Sequence, residues 1–233
     1  MSFIISEVGI NFNNFEEAKK LVEMSAFVGA NAVKFQIFWN LGRLEKYELS
    51  KEQWVELKNY CNDFVIEFMA SPHCDWEGTN NDTIDFVDTL VKRHKIASPY
   101  LTNKKYVQYI ASKGKPIYLS TGSMTRKDGM ATMGEIKETL SWIPKSDITL
   151  LHCVSKYPPK NPHYKRILKL KSFGKPVGLS DHSLNKMIQC WPVIEKHIKL
   201  TDNCIDSAVS LNPEDFREMV RNIRNYESVF GKL

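Results

Sequence analysis

The chain has 233 residues, 42% of them apolar, 25% charged and 11% aromatic, which is enough for an ordinary globular core. Its 11 glycines and 10 prolines are too few for a collagen-like or disordered chain. The formal charge of +5 arises from 32 basic and 27 acidic residues spread along the whole length, without the dense basic stripe of a nucleic-acid-binding surface.

The N-terminal stretch MSFIISEVGINF has neither the basic start nor the cleavage site of a secretory signal. No apolar run approaches the ~18 residues that span a bilayer. Cys61, Cys74, Cys153, Cys190 and Cys204 are odd in number, widely spaced and never in a CxxC pair. These features predict a cytoplasmic protein with no membrane or nucleic-acid partner, no disulfide framework and no structural zinc site.

Along the chain, short β-rich runs alternate with amphipathic stretches. The first run, 3–9, carries Glu7. A helix is predicted over 15–30, where Ala18, Leu21, Val22, Ser25 and Val28 share one face. The run 32–36 carries Lys34 and Gln36, and a helix over 51–64 leads to 66–71, which ends on Ser71. Lys95 and Ser98 lie on 94–98. The turn Lys113-Gly114-Lys115-Pro116 opens 116–121, with Ser120 and Thr121 at its end. After a helix over 134–143, the run 148–153 carries His152 and is followed by Ser155. Ser180 and His182 close 176–181, and Glu195 and His197 lie on 193–198. Eight strands interleaved with helices predict an α/β fold, a (β/α)8 TIM barrel forming one domain over 1–233; an open doubly wound sheet is the alternative.

A barrel gathers reactive groups at the C-terminal ends of its strands, and a strand alternates faces with period two. Lys34 and Gln36 therefore share a face, as do Ser180 and His182, and Glu195 and His197. His182 and His197 end neighbouring strands and could hold one divalent ion with positions left open for substrate oxygens and water. Lys34 and Lys95, with Ser71, Ser98, Ser120 and Ser180, form a cation-and-hydroxyl set suited to phosphate and carboxylate oxygens. An inward Lys34 between Val33 and Phe35 needs an anionic partner. His73-Cys74-Asp75 shows no ordered nucleophile–base pair, and Trp39, Trp54, Trp76, Trp142 and Trp191 read as core or rim. No P-loop, GxGxxG, HExxH or GxSxG pattern occurs.

The strings SEVGINFN, GANAVKFQ, HKIASPYLTN, GKPIYLSTG, LLHCVSKYP, VGLSDHS, IEKHIKL and ID-x3-SLNPEDF, in this order, resemble the sialic acid synthase family of bacterial N-acetylneuraminate synthases and their relatives. The resemblance implies a (β/α)8 barrel that condenses phosphoenolpyruvate with an N-acetylated hexosamine, typically N-acetylmannosamine, with a divalent ion (Mn2+ or Mg2+) as cofactor. It implies that His182 and His197 bind the metal and that Lys34 and Lys95 grip phosphoenolpyruvate. Ser71, Ser98, Ser120 and Ser180 match the hydroxyls around its phosphate and carboxylate. Gln36, Tyr157 and Asp206 match positions facing the sugar, and Glu7 matches an acidic residue of the first strand. Asp206 or Glu195 is the carboxylate expected to orient the attacking water.

The chain departs from the family pattern on the acceptor side. Asn11-Phe12-Asn13-Asn14 replaces the family's NHNG, and Pro99-Tyr100 replaces a Gly-Glu whose carboxylate touches the sugar. Ser155 stands where asparagine is frequent, and the segment from His182 to His197 is short, so the last helix is expected to be abbreviated. The barrel is expected to stand without the small antifreeze-like C-terminal domain of the family. A homodimer through the barrels is compatible with this reading. The alternative is a decayed barrel that binds a ligand or partner without turnover, motivated by Phe12, Tyr100 and the missing domain.

Overall fold

The computed structural model of the chain describes residues 1–39, 42–74, 81–188 and 190–231. Asp75 and Trp76 lie outside the described residues. Strands β1 (Phe3–Gly9), β2 (Ala32–Ile37), β3 (Glu67–Pro72), β4 (His94–Ile96), β5 (Ile117–Ser120), β6 (Ile148–Cys153), β7 (Val177–Asp181) and β8 (Val193–His197) form one parallel sheet. Its order is β3-β2-β1-β8-β7-β6-β5-β4. The first and last strands are thus hydrogen-bonded neighbours at the middle of that order. β3 and β4 lie side by side without a ladder between them, so the sheet is a nearly closed barrel.

Helices pack outside: α1 (Phe15–Phe27), α2 (Lys51–Asp63), α3 (Asp82–Leu90), α4 (Lys104–Ser112), α5 (Met133–Trp142), α6 (Arg166–Leu170) and α7 (Pro213–Phe230). Their starts are written locally. Asn14 accepts from the Glu17 N–H, Ser50 and Thr132 form capping boxes with Gln53 and Glu135, and Asn212 caps α7 just before Pro213. The face of α1 bearing Ala18, Leu21, Val22 and Ser25 is buried. The helix ends at Phe27 rather than running to 30.

The strand interior is layered. Ile5, Ala32, Met69, Tyr118, Leu151 and Val193 make an apolar plug inside the barrel. Two residues further along the same strands, period-two alternation turns Glu7, Lys34, Ser71, Ser120, Cys153 and Glu195 into the space above it. Residues of the opposite phase meet the helices in a second, larger apolar core. Among the described residues no helix is long and apolar enough to cross a membrane.

Three local expectations are corrected. The run 94–98 is a strand only to Ile96, and Ser98 opens a 3-10 turn, Ser98–Tyr100, with Pro99 at its start. His152 and Thr121 face the wall: the His152 Nε2–H donates to the Pro162 carbonyl at 2.7 Å and the Thr121 hydroxyl to Leu151 O at 3.0 Å. Between β7 and β8 the described residues contain no helix at all, beyond the expected shortening. There the fully buried Lys196 meets Asp181 Oδ2 at 2.5 Å and donates to the carbonyls of Ser183 and Asn185. These backbone oxygens would otherwise lack partners in a helix-free crossover.

Candidate active site

The C-terminal mouth of the barrel holds a cavity of about 380 Å³. Every residue singled out in the sequence as catalytic, substrate-binding or metal-ligating lines it. Register explains the convergence. Glu7 lies opposite Lys34 on one side and His197 on the other, Gln36 opposite Ser71, and Ser180 opposite Glu195.

At the floor, two lysines and two carboxylates interlock. Lys34 Nζ sits 2.6 Å from Glu7 Oε2 and 3.7 Å from Glu195 Oε2, while Lys95 Nζ donates to Glu195 Oε1 at 3.0 Å. The Ser180 hydroxyl donates to the same Glu195 oxygen at 2.7 Å. The anionic partner that a buried Lys34 requires is therefore supplied by the protein itself. Burial lifts the Glu7 carboxyl above its usual range, and the charge on Glu195 adds to this against the pull of Lys34. For Glu195 burial acts in the same direction, but Lys34, Lys95 and the Ser180 hydroxyl outweigh it and hold the carboxyl well below the usual range. The two carboxylates are thus separated in acidity, Glu195 fixed as an anion and Glu7 nearer to taking a proton.

Beside Lys95 the wall is a cradle of hydroxyls. Ser98 and Ser155 approach Gly122 so closely that a Cβ there would fall 2.6 Å and 2.2 Å from their oxygens. The Ser120 hydroxyl is buried without a protein partner. Ser71 completes this layer next to His73 Nε2 at 3.5 Å. An oxyanion resting here would meet two ammonium groups and several hydroxyl donors.

Across the cavity the rings of His182 and His197 lie 5.3 Å apart. His182 Nδ1 donates to the Val154 carbonyl at 2.9 Å, which directs Nε2 inward to the Tyr157 hydroxyl at 3.1 Å. Burial works against a proton on His182, but Cys153, 3.9 Å from Nδ1, and the Val154 carbonyl push its pKa up to about 9. Burial, His182 and Lys34 hold His197 neutral, and its Nδ1 is buried with no hydrogen-bond partner. That orphaned nitrogen fits a divalent ion as it stands, and the His182 imidazole, oriented by a backbone carbonyl, would join it on giving up its Nε2 proton. No group of three or more His, Cys, Asp or Glu side chains suited to a metal occurs among the described residues. The two imidazoles would supply two ligands to such an ion, with its remaining positions left to substrate and water.

Tyr157 stacks on His182 at 4.2 Å and is half exposed. Asp206 Oδ2 stands 3.8 Å from His197 Nδ1, and burial raises its pKa. Gly9, with φ +59°, lets the chain turn between Gln36 Nε2, Glu7 Oε1 and Asp206 Oδ2; a Cβ would lie 3.3–3.6 Å from all three.

The substitutions that motivate a decayed barrel are both turned away from this space. Phe12 is 1% exposed and packs edge-on to Phe35 and Trp54. Tyr100 stacks on Tyr106 at 4.2 Å, and its hydroxyl donates to the Cys74 carbonyl. The cavity also uses residues the sequence did not single out for it: Ile10, Leu44, Met124 and Ile205. Leu44 lies in a 3-10 turn and the other three in loops between strands and helices, so none carries a periodic signal. His73, dismissed as part of a nucleophile pair, also faces the cavity. Burial, with Lys34 and Lys95 nearby, lowers its pKa to about 3.

The chain and its fold resemble known proteins. The model of the NeuB family matches residues 40–233. An uncharacterised protein of Methanocaldococcus jannaschii is 36% identical over 99% of this chain and 72% of its own length. The N,N'-diacetyllegionaminic acid synthase of Legionella pneumophila is 32% identical over 98% of this chain and 73% of its own. A crystal structure of the N-acetylneuraminic acid (sialic acid) synthetase of Leptospira borgpetersenii, in complex with citrate, superposes with a TM-score of 0.86 at 26% identity. That match covers 99% of this chain and 85% of the other. The alignment with the archaeal protein is 259 positions long against a chain of 233, so the relative carries insertions that this chain lacks.

Proposed function

The chain belongs to the NeuB family, and from that premise we propose that it condenses phosphoenolpyruvate with an N-acylated hexosamine of the N-acetylmannosamine kind. The products are phosphate and a nine-carbon 3-deoxy-2-keto acid of the sialic acid type. The single observation that carries this reading is the buried Lys34–Lys95 pair and its hydroxyl cradle beside two imidazoles in one cavity.

Lys34 and Lys95, with Ser71, Ser98, Ser120 and Ser180, hold the phosphate and carboxylate of phosphoenolpyruvate against the floor. The enol C3 then faces the acceptor's aldehyde carbon across the cavity. A carbon–carbon bond forms between them, and the aldehyde oxygen takes up a proton to become a hydroxyl. Water adds at C2, and loss of phosphate from the resulting tetrahedral centre leaves the ketone. Glu195 or Asp206 orients that water, and Asp206, whose pKa burial raises, accepts its proton. Gln36, Tyr157 and Glu7 present donors and acceptors to the sugar's hydroxyls. A divalent ion (Mn2+ or Mg2+) at His182 and His197 would supply Lewis-acid polarisation of an acceptor oxygen. The chain's own contribution is positioning and preorganised charge. The five cysteines form no disulfide among the described residues, which suits a reducing compartment, so we place the reaction in the cytoplasm.

The test is incubation of the purified chain with phosphoenolpyruvate, Mn2+ and a panel of N-acylated hexoses, following released phosphate and searching by mass spectrometry for a 3-deoxy-2-keto acid. Turnover with at least one sugar is expected. Silence with every sugar, despite intact phosphoenolpyruvate binding, would return the decayed barrel to first place.

A further inference from the structure

The segment Asn11-Phe12-Asn13-Asn14 follows β1 at the cavity mouth, and three of its four residues have structural employment. Phe12 fills core, Asn13 binds Glu17 through both its backbone and its side chain, and Asn14 caps α1. Asn11 does something else. Its side chain is 3% exposed and lies behind the cavity wall rather than in it. Among the described residues its side-chain hydrogen bonds all go to the segment after β8, some 190 residues later in sequence. Its Nδ2 donates to the Ile198 carbonyl and to Ser210 Oγ, both at 2.9 Å, and its Oδ1 accepts from the Asp206 N–H at 3.0 Å.

Ser210 closes the circuit by donating to the Asp206 carbonyl at 2.7 Å. Both backbone polar groups of Asp206 are thereby engaged, the N–H by Asn11 directly and the carbonyl by the Val209 N–H together with a hydroxyl that Asn11 orients. The Asp206 carboxylate points the other way, toward His197 and into the corner shared with Glu7 and Gln36 around Gly9. Asp206 sits in a 3-10 turn and irregular loop with no strand or long helix to hold it. The Lys199 ammonium on the Ser207 carbonyl and hydroxyl and the bridge from Ile198 to Leu211 tie down the far side of this loop, and the Asn11 amide holds the side that carries Asp206.

We propose that Asn11 is a positioning residue for the acceptor corner, acting through Asp206. This rests on the reading of the cavity given above. Removing the amide would leave the Asp206 N–H and the Ile198 carbonyl buried without partners, and the loop would relax away from the mouth. The anion cradle at Lys34, Lys95 and Ser120 shares no hydrogen bond with Asn11, so the donor half of the site should not notice the change.

The experiment uses the full chain in four forms: unaltered, Asn11→Ala, Asp206→Ala and the double variant. Amide hydrogen exchange over 204–210 is measured on each, with phosphoenolpyruvate affinity by calorimetry and steady-state phosphate release against the best-used N-acylated hexose. Asn11→Ala is expected to speed exchange over 204–210 and to raise the acceptor KM about tenfold or more. Phosphoenolpyruvate affinity should stay within about twofold, and the double variant should be no worse than Asp206→Ala within about twofold, because the two residues act as one unit. Unchanged exchange over 204–210, multiplicative losses in the double variant, or an equal loss of phosphoenolpyruvate binding would each overturn the proposal. Absence of phosphate release from the unaltered chain is a different result: it overturns the functional reading, while the exchange measurement still decides the anchoring.

Discussion

Lys34 is 2% exposed, and two carboxylates of the protein already satisfy it. The floor with Lys34, Lys95, Glu7 and Glu195 is near charge balance before any substrate arrives. An incoming phosphoenolpyruvate adds negative charge to a buried site whose Glu7 carboxyl is already raised by burial and by Glu195. Glu7 is therefore the group expected to take a proton when the anion enters. The sign follows: a complex that holds an extra proton is weakened as pH rises, so phosphoenolpyruvate affinity should fall with pH and binding should take up protons. Calorimetry in buffers of different ionisation enthalpy measures that uptake directly. Replacing the lysine, Lys34→Met, strands Glu7 and weakens Glu195, with an expected stability loss of ~3–5 kcal/mol for a broken buried pair. Phosphoenolpyruvate affinity should drop far more than sugar affinity, and equal losses in titrations of the two ligands would contradict the donor-site role of Lys34.

The helix-free crossover from β7 to β8 transfers a structural task to side chains. Asp181 and Lys196 each stand one residue before an imidazole, on the outer face of their strands. Their contact at 2.5 Å, with the Tyr164 hydroxyl donating to Asp181 Oδ1, holds the crossover where a helix would normally lie. Lys196→Met alone leaves Asp181 buried and unpaired and should cost ~3–5 kcal/mol in urea unfolding. The paired change Lys196→Met with Asp181→Leu should recover most of that loss, since apolar groups of similar size often replace a buried pair without penalty. The sequence showed that this segment was short. It did not show what replaced the helix, because a buried lysine facing away from the site looks, in one dimension, like any solvated one.

At the scale of the whole barrel, the two ends of the described chain are tied together. The Glu227 carboxylate in α7 accepts from the Ser2 backbone N–H, and Arg224 bridges Glu227 at 3.0 Å and the Ser2 carbonyl at 2.9 Å. Burial opposes ionisation of Glu227, but these donors win and lower its pKa from 4.5 to about 2. A carboxyl lowered on folding contributes stability above its unfolded value, and that contribution fades as pH falls through 4.5 toward about 2. Glu227→Gln should lower Tm at neutral pH and flatten its acid dependence over that interval. A thermal melt series on the two proteins checks both.

What the sequence determined by itself was the order and phase of the strands. Period-two alternation is a local property, so Ile5 and Glu7, or Val193 and Glu195, had to share a face once they were strands, and eight such strands left few ways to close. The motifs around Lys34, Lys95, His182 and His197 could be read for the same reason, each lying within a strand or at its end. Tertiary structure alone decided how these groups neutralise one another, and which polar residues turn outward, as His152 does. It also decided what stands behind the wall. The bonds from Asn11 to Ile198, Asp206 and Ser210 join segments far apart in the chain, and hydrogen bonds of that kind leave no periodic trace in sequence because they depend on distance after closure.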